Sequence, residues 1–557
     1  MISATSWVPR GYASEFPEKY ELDDEEMLRI TAMANLEISD ARKGLKEAEE
    51  AEEVEGTTEE SSNRDALKDE IEFDNDLKEY DLENYDNGPV DSEGTPLTMF
   101  PGLSNSDARY HENEGEDGNG DPYISLPTED DLQQEKEELQ VYPTDNMVLA
   151  TRTEDDVSYL DVYIYDDGAG APEGSNEEEG DKLDRDAAKG LVRESNLYVH
   201  HDLMLPAFPL CVEWINFKPN GENNDSNIGN FAAIGTFDPT IEIWNLDSID
   251  KLFPDVILGE NNNNNNFQLK KNSKKNKKIK IFISVLASTS ADSTVKIWDL
   301  STASAVRSMN QIHQGKQVSS SQWYKDDGSI LLTGGYDGHV AISDVRISSD
   351  ENMTKRWRVG NGTEDVESVK WGSLDGLFYA GTDKGNVYCF DAKMTSKPVW
   401  TLHAHDAGIS SLEINNFIPG LLVTCAMGEK LIKLWKVNQQ NIPSMVLSRD
   451  FGCGNVFSSC FAPDIEVCGN LTIGGVTGGL KMWDCFSNRG VRAAFKDELK
   501  ILQKKARDFA KENGRSSRIA RKYINDQTTE TIMVPETGGL EEDEEDLDLE
   551  ELWENED

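Results

Sequence analysis

Short β-type runs recur along the central part of the chain, each consisting of two apolar segments separated by a tight polar turn. In residues 232–247, the first run ends at Gly235, a turn follows at Asp238, and the second run ends at Trp244. Apolar runs of this length bounded by Gly and Asp predict paired antiparallel strands. Comparable units occur at residues 284–299, 331–344, 378–391, 421–435 and 471–484. This self-similarity predicts a repeat fold.

Each unit closes on an aromatic residue or its substitute, at Trp244, Trp298, Ser343, Phe390, Trp435 and Trp483. Their spacing is near the roughly 40–45 residues of a WD-repeat blade, in which four strands form one blade of a β-propeller. An acid six or seven positions earlier can accept backbone N–H bonds and hold the turn. The acids assigned this structural role are Asp238, Asp292, Asp337 and Asp383.

A further unit is expected upstream, from β-rich runs at residues 138–141, 147–152 and 159–165. Seven blades would close a ring, which hides the strand edges and apolar faces that single blades cannot bury. The sequence therefore predicts an all-β, seven-bladed propeller over residues 138–495, with insert loops at 167–198 and 247–283. The second insert is Asn- and Lys-rich where ordinary strands are expected. It indicates either a three-stranded blade with a disordered loop or a missing coding segment.

The two ends of the chain differ sharply in composition from its middle. The chain carries a formal net charge of -52, and its hydrophobic content is 37%, below the roughly 45–50% of globular proteins. The excess acid lies mainly before residue 140 and after residue 535. We therefore predict an acidic, largely disordered N-terminal arm with short linear motifs over residues 1–137, and an acidic disordered tail over residues 526–557. Such runs are usually only solvated, but they could also screen basic partners.

The sequence shows neither a membrane-spanning apolar run nor a charged and apolar leader. Its seven cysteines are odd in number and form no Cys-x-x-Cys pair, which favours buried thiols over disulfides. It has no phosphate loop, no nucleophile elbow and no His-Glu-x-x-His motif. We expect a soluble intracellular protein that is not an enzyme, with no cofactor, no metal site, no small-molecule substrate and no membrane contact.

Residues 496–525 predict a basic amphipathic helix followed by a basic arm. Phe495, Leu499, Leu502, Ala506 and Phe509 recur at the spacing of one helix face. The basic side chains could bind RNA phosphates through charge neutralisation, without reading bases. The alternative is a solvated amphipathic helix that only closes the fold. The candidate RNA- or phosphate-binding residues are Lys500, Lys504, Lys505, Lys511, Arg515, Arg518, Arg521 and Lys522.

Two further segments carry candidate sites. A basic tract that could direct nuclear import, or could simply be a soluble loop, contains Lys270, Lys271, Lys274, Lys275, Lys277 and Lys278. In the acidic N-terminal arm, Trp7, Phe16 and Tyr20 are isolated apolar residues that could bind a partner groove. The alternative for these three is a segment docked on the chain's own propeller. The sequence alone leaves both alternatives open.

Several longer strings are more specific than the repeat itself. They are residues 7–11 (WVPRG), 76–80 (DLKEY), 99–103 (MFPGL), 121–125 (DPYIS), 200–209 (HHDLMLPAFP), 235–238 (GTFD), 288–292 (STSAD), 461–464 (FAPD) and 517–523 (SRIARKY). Through these strings the chain resembles the periodic tryptophan protein 1 family of WD-repeat ribosome-biogenesis factors. By the same resemblance, His405 takes the blade histidine position and should hydrogen-bond near Thr424 and Trp435 rather than bind metal.

This resemblance implies a non-enzymatic scaffold in the nucleus and nucleolus. Its role would be large-subunit pre-ribosome assembly and rRNA processing, with pre-ribosomal particle proteins and rRNA as partners. Composition and spacing show only a propeller with charged arms, and a fold does not imply a function. An acidic histone- or chromatin-binding WD-repeat module is the alternative, and an adaptor that presents substrates to a ligase is a third.

Overall fold

The computed structural model describes most of the predicted propeller and short parts of the rest. The described residues are 1–20, 109–111, 123–125, 136, 139–155, 157–168, 195–221, 227–259, 284–347, 350–373, 376–394, 397–438, 440–512, 519 and 531–535. The chain divides into two compact units, residues 1–20 with 139–557 and residues 21–138. The larger unit is a seven-bladed β-propeller, which confirms the predicted fold class.

Blade 1 uses strands that flank residues 21–138 in the sequence, whereas the described strands of blades 2 and 3 all follow these residues. Blade 1 contains β1 (Ile2–Val8), β5 (Asn146–Glu154), β6 (Val157–Asp166) and β7 (Asn196–Leu205). Blade 2 contains β8 (Pro209–Ile215), β9 (Phe231–Thr236), β10 (Ile241–Asn245) and β12 (Val256–Leu258). Blade 3 is described for three strands, β13 (Val285–Thr289), β14 (Val295–Asp299) and β15 (Ser304–Met309).

Blades 4 to 7 each have four described strands. Blade 4 contains β16 (Val318–Tyr324), β17 (Asp327–Gly335), β18 (His339–Asp344) and β19 (Thr354–Arg358), with a short helix α1 (Asp350–Met353). Blade 5 contains β20 (Val366–Trp371), β21 (Leu377–Thr382), β22 (Asn386–Asp391) and β23 (Trp400–His403). Blade 6 contains β24 (Ile409–Ile414), β25 (Leu421–Ala426), β26 (Leu431–Val437) and β27 (Pro443–Asp450). Blade 7 contains β28 (Val456–Phe461), β29 (Asn470–Gly475), β30 (Lys481–Asp484) and β31 (Ile532–Met533).

Smaller elements complete the described structure. Strand β2 (Glu18–Lys19) pairs in parallel with β11 (Ser248–Ile249). Helices α2 (Arg489–Ala494) and α3 (Lys496–Glu512) follow β30. In the smaller unit, β3 (Arg109–His111) pairs in antiparallel fashion with β4 (Tyr123–Ser125).

Neighbouring blades pack face to face around the ring, so their middle strands are buried on both sides. All six residues of β25 are buried, as are the six residues of β29. Central strands of this kind read as continuous apolar runs rather than alternating ones. This burial explains why the second strands of blades 6 and 7, which are the first runs of their sequence units, are uninterrupted apolar runs.

The innermost strand of blade 1 comes from the very start of the chain. Strand β1 pairs in antiparallel register with β5, from Ile2 opposite Arg152 to Val8 opposite Met147, and it also contacts β8 and β28. The expected strand at residues 138–141 is therefore wrong, since this position is filled from residues 2–8. Residues 1–20 belong to the propeller rather than to the predicted arm of residues 1–137.

The last blade is completed by a strand from within the predicted acidic tail. Ile532 lies opposite Trp483 and Met533 opposite Met482. The tail predicted for residues 526–557 therefore contains one strand of the fold. The two predicted inserts are also shorter than expected, because β7 begins at Asn196 and β12 occupies Val256–Leu258. Residues 260–283, which hold most of the questioned insert, lie outside the described residues.

Candidate functional site: the closing seam, the blade networks and the basic helix

The repeat residues lie inside the blades, at the ends of the third strands. Trp244, Trp298, Phe390, Trp435 and Trp483 are all buried. Each large aromatic side chain fills space between adjacent blades, where burial of a side chain of this size contributes about 1.5–3 kcal/mol. These positions therefore hold the ring together and offer no surface to a partner.

The turn acids act through backbone hydrogen bonds. Asp292 accepts from Thr294 N at 2.8 Å, and Asp337 accepts from His339 N at 3.1 Å. Asp383 instead accepts from Asp365 N at 3.0 Å, which fixes the loop before β20. Asp238 differs, because its own backbone N–H donates to Thr236 Oγ1 at 3.2 Å.

Blade 6 contains a buried hydrogen-bond chain around His405. His405 Nδ1 lies 2.7 Å from Glu429 Oε2, and His405 Nε2 lies 2.9 Å from Thr424 Oγ1. Trp435 Nε1 donates to the same Thr424 oxygen at 2.9 Å. Burial lowers the pKa of His405, which favours the neutral ring in this network. His405 thus links the outer loop of the blade to its core.

Blade 4 repeats this arrangement around His313, a residue that sequence reasoning did not single out. His313 Nδ1 lies 2.9 Å from Asp337 Oδ1 and His313 Nε2 lies 2.9 Å from Thr333 Oγ1. Ser343 stands where blade 6 has Trp435. The spacing from His313 to Asp337 matches that from His405 to Glu429, and this match is the signal that could have identified His313 in the sequence.

Blades 1 and 7 meet at a buried ionic cluster that we call the closing seam, formed by Arg10, Asn146, Asp167, Asp464 and Glu466. The Arg10 guanidinium donates to Asp167 Oδ2 at 2.7 Å, Glu466 Oε2 at 2.8 Å and Asn146 Oδ1 at 2.8 Å. Asp464 Oδ2 accepts from Arg10 N at 3.1 Å and from Asn146 Nδ2 at 2.7 Å. Two of the strings found in the sequence, residues 7–11 and 461–464, therefore meet here.

The electrostatics of the closing seam are dominated by buried carboxylates. Burial alone would lower the pKa of Arg10, but Asp167 and Glu466 more than offset this and raise it. Burial and the charge of Asp166 raise the pKa of nearby Asp145 to about 7. A cavity of about 10 Å³ beside the seam has room for about one water molecule. The geometry suits structural closure rather than binding of a small molecule.

Two of the three apolar residues proposed as partner anchors, Trp7 and Tyr20, contact the chain's own propeller. Trp7 is buried in β1, and its Nε1 lies 3.2 Å from both Cys460 O and Thr472 Oγ1 of blade 7. Tyr20 lies under Lys251 Nζ, 5.6 Å from the ring centroid. Phe16 is partly exposed. A partner role for Trp7 is therefore wrong, because its side chain could leave only if the seam opened.

The basic helix is amphipathic as expected, with one difference at its end. Its buried side chains are Leu499, Leu502, Ala506 and Ala510, next to buried Phe495. The predicted stripe is wrong at Phe509, which is 43% exposed. At about 100° of rotation per residue, Ala510 lies nearer the centre of the buried face than Phe509 does.

The exposed side of α3 carries four of the candidate phosphate-binding residues. Lys500, Lys504, Lys505 and Lys511 are all exposed. The helix is fixed to blade 6 by Lys436, whose Nζ lies 2.7 Å from Glu498 Oε1 and donates to Ala494 O at 2.6 Å. The remaining candidates, which lie outside the described residues, are Arg515, Arg518, Arg521 and Lys522. The import candidates Lys270, Lys271, Lys274, Lys275, Lys277 and Lys278 also lie outside them.

Charged side chains from innermost strands interact in the middle of the ring. Lys370 Nζ of blade 5 lies 2.5 Å from Glu413 Oε1 of blade 6. Burial raises the pKa of Glu213 of blade 2, which Lys370 opposes electrostatically. Within the described residues no group of three or more His, Cys, Asp or Glu side chains is arranged to hold a metal ion. Over the same residues, no helix is both long and apolar enough to cross a membrane.

Seven sheets in a ring, tied by His-Thr-acid chains and closing tryptophans, define a WD-repeat β-propeller. Residues 277–299 match the family described as WD domain, G-beta repeat. The chain is 54% identical to periodic tryptophan protein 1 of Saccharomyces cerevisiae, over 98% of each chain. It is 35% identical to an uncharacterised WD repeat-containing protein of Schizosaccharomyces pombe, over 90% of this chain and 92% of that one. A Drosophila melanogaster periodic tryptophan protein 1 homologue is 28% identical over 78% of this chain and 83% of its own.

The chain therefore belongs to the periodic tryptophan protein 1 family. This membership confirms the resemblance inferred from the sequence strings. WD-repeat propellers of this kind act as interaction platforms, typically without catalysis.

Proposed function

We propose that this protein is a non-enzymatic scaffold in large-subunit pre-ribosome assembly and rRNA processing, acting in the nucleus and nucleolus. The observation that carries the proposal is the rigid attachment of the basic helix α3 to the propeller with its lysines facing outward. The context of ribosome biogenesis is what the resemblance to this family implies, and it supports the proposal. The partners would be rRNA and proteins of the pre-ribosomal particle.

The apolar face of α3 explains why its lysines are held in place. Leu499, Leu502 and Ala506 pack in one core cluster with Phe461 and Cys468 of blade 7. A helix anchored in this way loses little additional conformational freedom when it binds, which lowers the entropic cost of association. The helix therefore presents a fixed row of cations rather than a mobile tail.

Lysine side chains suit recognition of RNA phosphates rather than of bases. Lys is a compact charge without the planar geometry that reads base edges bidentately. Phosphates that are neutralised by lysine release counterions, so RNA affinity should fall steeply as salt rises. A plot of the logarithm of the binding constant against the logarithm of the salt concentration should fall with a slope of about 0.7–0.9 per phosphate contact. The overall net charge of -52 restricts such contacts to a local basic surface. We therefore expect RNA contact without sequence specificity at α3.

The decisive experiment is ultraviolet crosslinking of the tagged full-length protein to RNA in cells. The test variant replaces Lys500, Lys504, Lys505 and Lys511 with Gln, which removes the charge and keeps the helix. The control variant replaces Lys384 and Lys430, exposed lysines far from α3 in sequence, with Gln. We expect rRNA crosslinks to fall at least about tenfold in the test variant only. Equal crosslinking of the test and wild-type proteins would remove α3 as the RNA contact.

The assembly role itself needs a separate measurement. Depletion of the protein should lead to accumulation of large-subunit rRNA precursors, and the wild-type protein should restore processing. The alternative function is an acidic histone- or chromatin-binding module, which the strongly negative charge favours. Normal precursor levels together with lost histone association would support that alternative and contradict the scaffold proposal.

Nuclear entry is proposed to depend on the tract at Lys270–Lys280. Replacing its lysines with Gln should leave the protein in the cytoplasm. Unchanged nuclear import of that variant would show that the tract is only a soluble loop.

A further inference from the structure

One residue position recurs at the same end of most blades. In blades 2, 4, 5, 6 and 7, the residue directly after the second strand donates its backbone N–H to the loop that leads into the same blade. These hydrogen bonds join Phe237 to Phe208 O, Tyr336 to Gln317 O, Asp383 to Asp365 O, Met427 to Gly408 O and Val476 to Asn455 O, at 2.8–3.1 Å. The backbone is therefore held alike in every case, and the side chains project from equivalent places around the ring.

Apolar side chains occupy this position where solvent would favour polar ones. Phe237 is 71% exposed, Met427 58% and Val476 47%. Phe208 packs against Phe237 with ring centroids 5.3 Å apart, and Leu210 next to it is 50% exposed. Single exposed apolar residues are ordinary. Here three exposed apolar residues occupy the same repeat position, in blades 6, 7 and 2. Together they form an arc on this end of the ring, interrupted at blade 1.

Acidic side chains surround this arc. The equivalent position after the second strand holds Asp155 in blade 1 and Asp383 in blade 5, both exposed. Exposed Asp238 follows Phe237, and the Asp406 side chain is 97% exposed. Lys384 and Lys430 belong to the corresponding turns of blades 5 and 6, whereas the exposed acids Asp155 and Asp238 belong to blades 1 and 2. We call this end of the ring the turn face, defined by Phe237, Met427, Val476, Asp155 and Asp238.

We propose that the turn face binds an extended, basic segment of a partner protein that carries at least one large apolar side chain. The apolar side chain packs against Phe237 and Phe208, and the basic residues pair with the carboxylates of Asp155 and Asp238. Charge complementarity selects this occupant, because the phosphates of RNA would be repelled by the same carboxylates. The backbone of these turns is already fixed by hydrogen bonds, so the turns lose little conformational entropy when a partner binds. This site goes beyond the proposed function, in which RNA is bound by α3.

The test uses the full-length protein and a phage-displayed library of random peptides about twelve residues long. Enriched peptides are synthesised with a fluorescein label, and their affinity is measured by fluorescence anisotropy. The test variants are Phe237→Ser, Met427→Ser and Asp238→Asn. The matched control is Val306→Ser, since Val306 is 61% exposed on the outer strand β15, away from the turns. Thermal unfolding of each variant checks that the propeller remains folded.

We expect the enriched peptides to combine Lys or Arg with Phe, Leu, Ile or Met. Their affinity should fall at least about tenfold with Phe237→Ser, as for a central apolar anchor, and should be unchanged with Val306→Ser. A peptide whose apolar residue is replaced with Ser should bind equally weakly to wild-type protein. Higher salt should weaken binding, and Asp238→Asn should reduce that salt dependence.

Four outcomes would overturn the proposal. The first three are the absence of enrichment, enrichment of acidic or purely polar peptides, and equal affinity for wild-type protein and Phe237→Ser. The fourth outcome is that an RNA oligonucleotide displaces the peptide equally well from the wild-type protein and from the α3 lysine variant. That result would assign the turn face to RNA and contradict the proposal. Loss of RNA crosslinking in the α3 variant, measured separately, leaves the peptide result unaffected, so the two proposals fail independently.

Discussion

Replacing Arg10 with Met tests whether the closing seam holds the ring together. The Arg10 side chain is 5% exposed, and its guanidinium donates to Asp167, Glu466 and Asn146. Met keeps much of the side-chain volume but removes the charge and all of these donors. The carboxylates of Asp167 and Glu466, which are 2% and 0% exposed, then remain buried without their cation.

The magnitude follows from the burial of both partners. Removing one member of a buried ion pair costs about 3–5 kcal/mol, because the remaining charge is left uncompensated. Natural domains are stable by only about 5–15 kcal/mol, so the loss is a large part of the total. Arg10→Lys keeps the charge but lacks the planar guanidinium that donates to three acceptors. We therefore expect its free energy of unfolding to lie between those of Arg10→Met and the wild-type protein.

The assay is urea unfolding followed by intrinsic tryptophan fluorescence, with native-state hydrogen exchange of β1 and β28. The control is Arg346→Met, since Arg346 is 49% exposed in its ion pairs with Asp344 and Asp327 and its loss should leave stability nearly unchanged. If Arg10→Met cost no more than Arg346→Met, the seam would not be the element that closes the ring. Faster exchange spread evenly over all blades, rather than concentrated at β1 and β28, would refute the same reasoning.

Three further predictions concern single residues in the propeller. The folded-state pKa of Asp145 is raised to about 7, so its contribution to stability is present below pH 4 and is lost as the pH rises towards 7. Asp145→Asn should therefore be more stable than wild type at pH 8 by at least about 1 kcal/mol. Equal unfolding midpoints of the two proteins at pH 8 would contradict this. His405→Ala removes the ring that links Thr424 to Glu429 inside blade 6 and should cost about 1–3 kcal/mol in urea unfolding. A comparable loss from exposed His403→Ala would assign the effect to the loop in general. Phe495→Ala removes a fully buried ring that lies under Lys436. It should lower the free energy of unfolding by about 3–5 kcal/mol and weaken RNA crosslinking through α3. Unchanged protease sensitivity of α3 would show that the helix is held elsewhere.

The repeat fold was visible in the sequence because each blade encodes it locally. The second and third strands of six blades lie within a few residues of each other, so their apolar runs and acidic turns can be recognised directly. Strand β1 could not be recognised, because its pairing partner β5 lies beyond the whole 21–138 unit. The same holds for β31, whose two residues pair with β30 across the helical segment.

Long-range chemistry was also beyond local pattern reasoning. The strings at residues 7–11 and 461–464 were both noticed, but nothing in either predicts that Arg10 reaches Asp464. For the same reason the sequence left open whether Trp7 binds a partner or docks on the propeller, since an isolated aromatic in an acidic segment also resembles a binding anchor. The exposed α3 lysines, by contrast, follow from helical periodicity alone.

The origin of β1 also constrains how the chain can fold during synthesis. Strand β1 is made before its pairing partner β5, which ends at Glu154, so at about 5–20 residues per second β1 waits roughly 7–29 s for that partner. Blade 7 is translated last, and only then can Trp7 find its acceptors. The ring of blades therefore stays unclosed for almost the entire translation of the protein. Any factor that shields Ile2 to Val8 during that interval would increase the yield of folded protein.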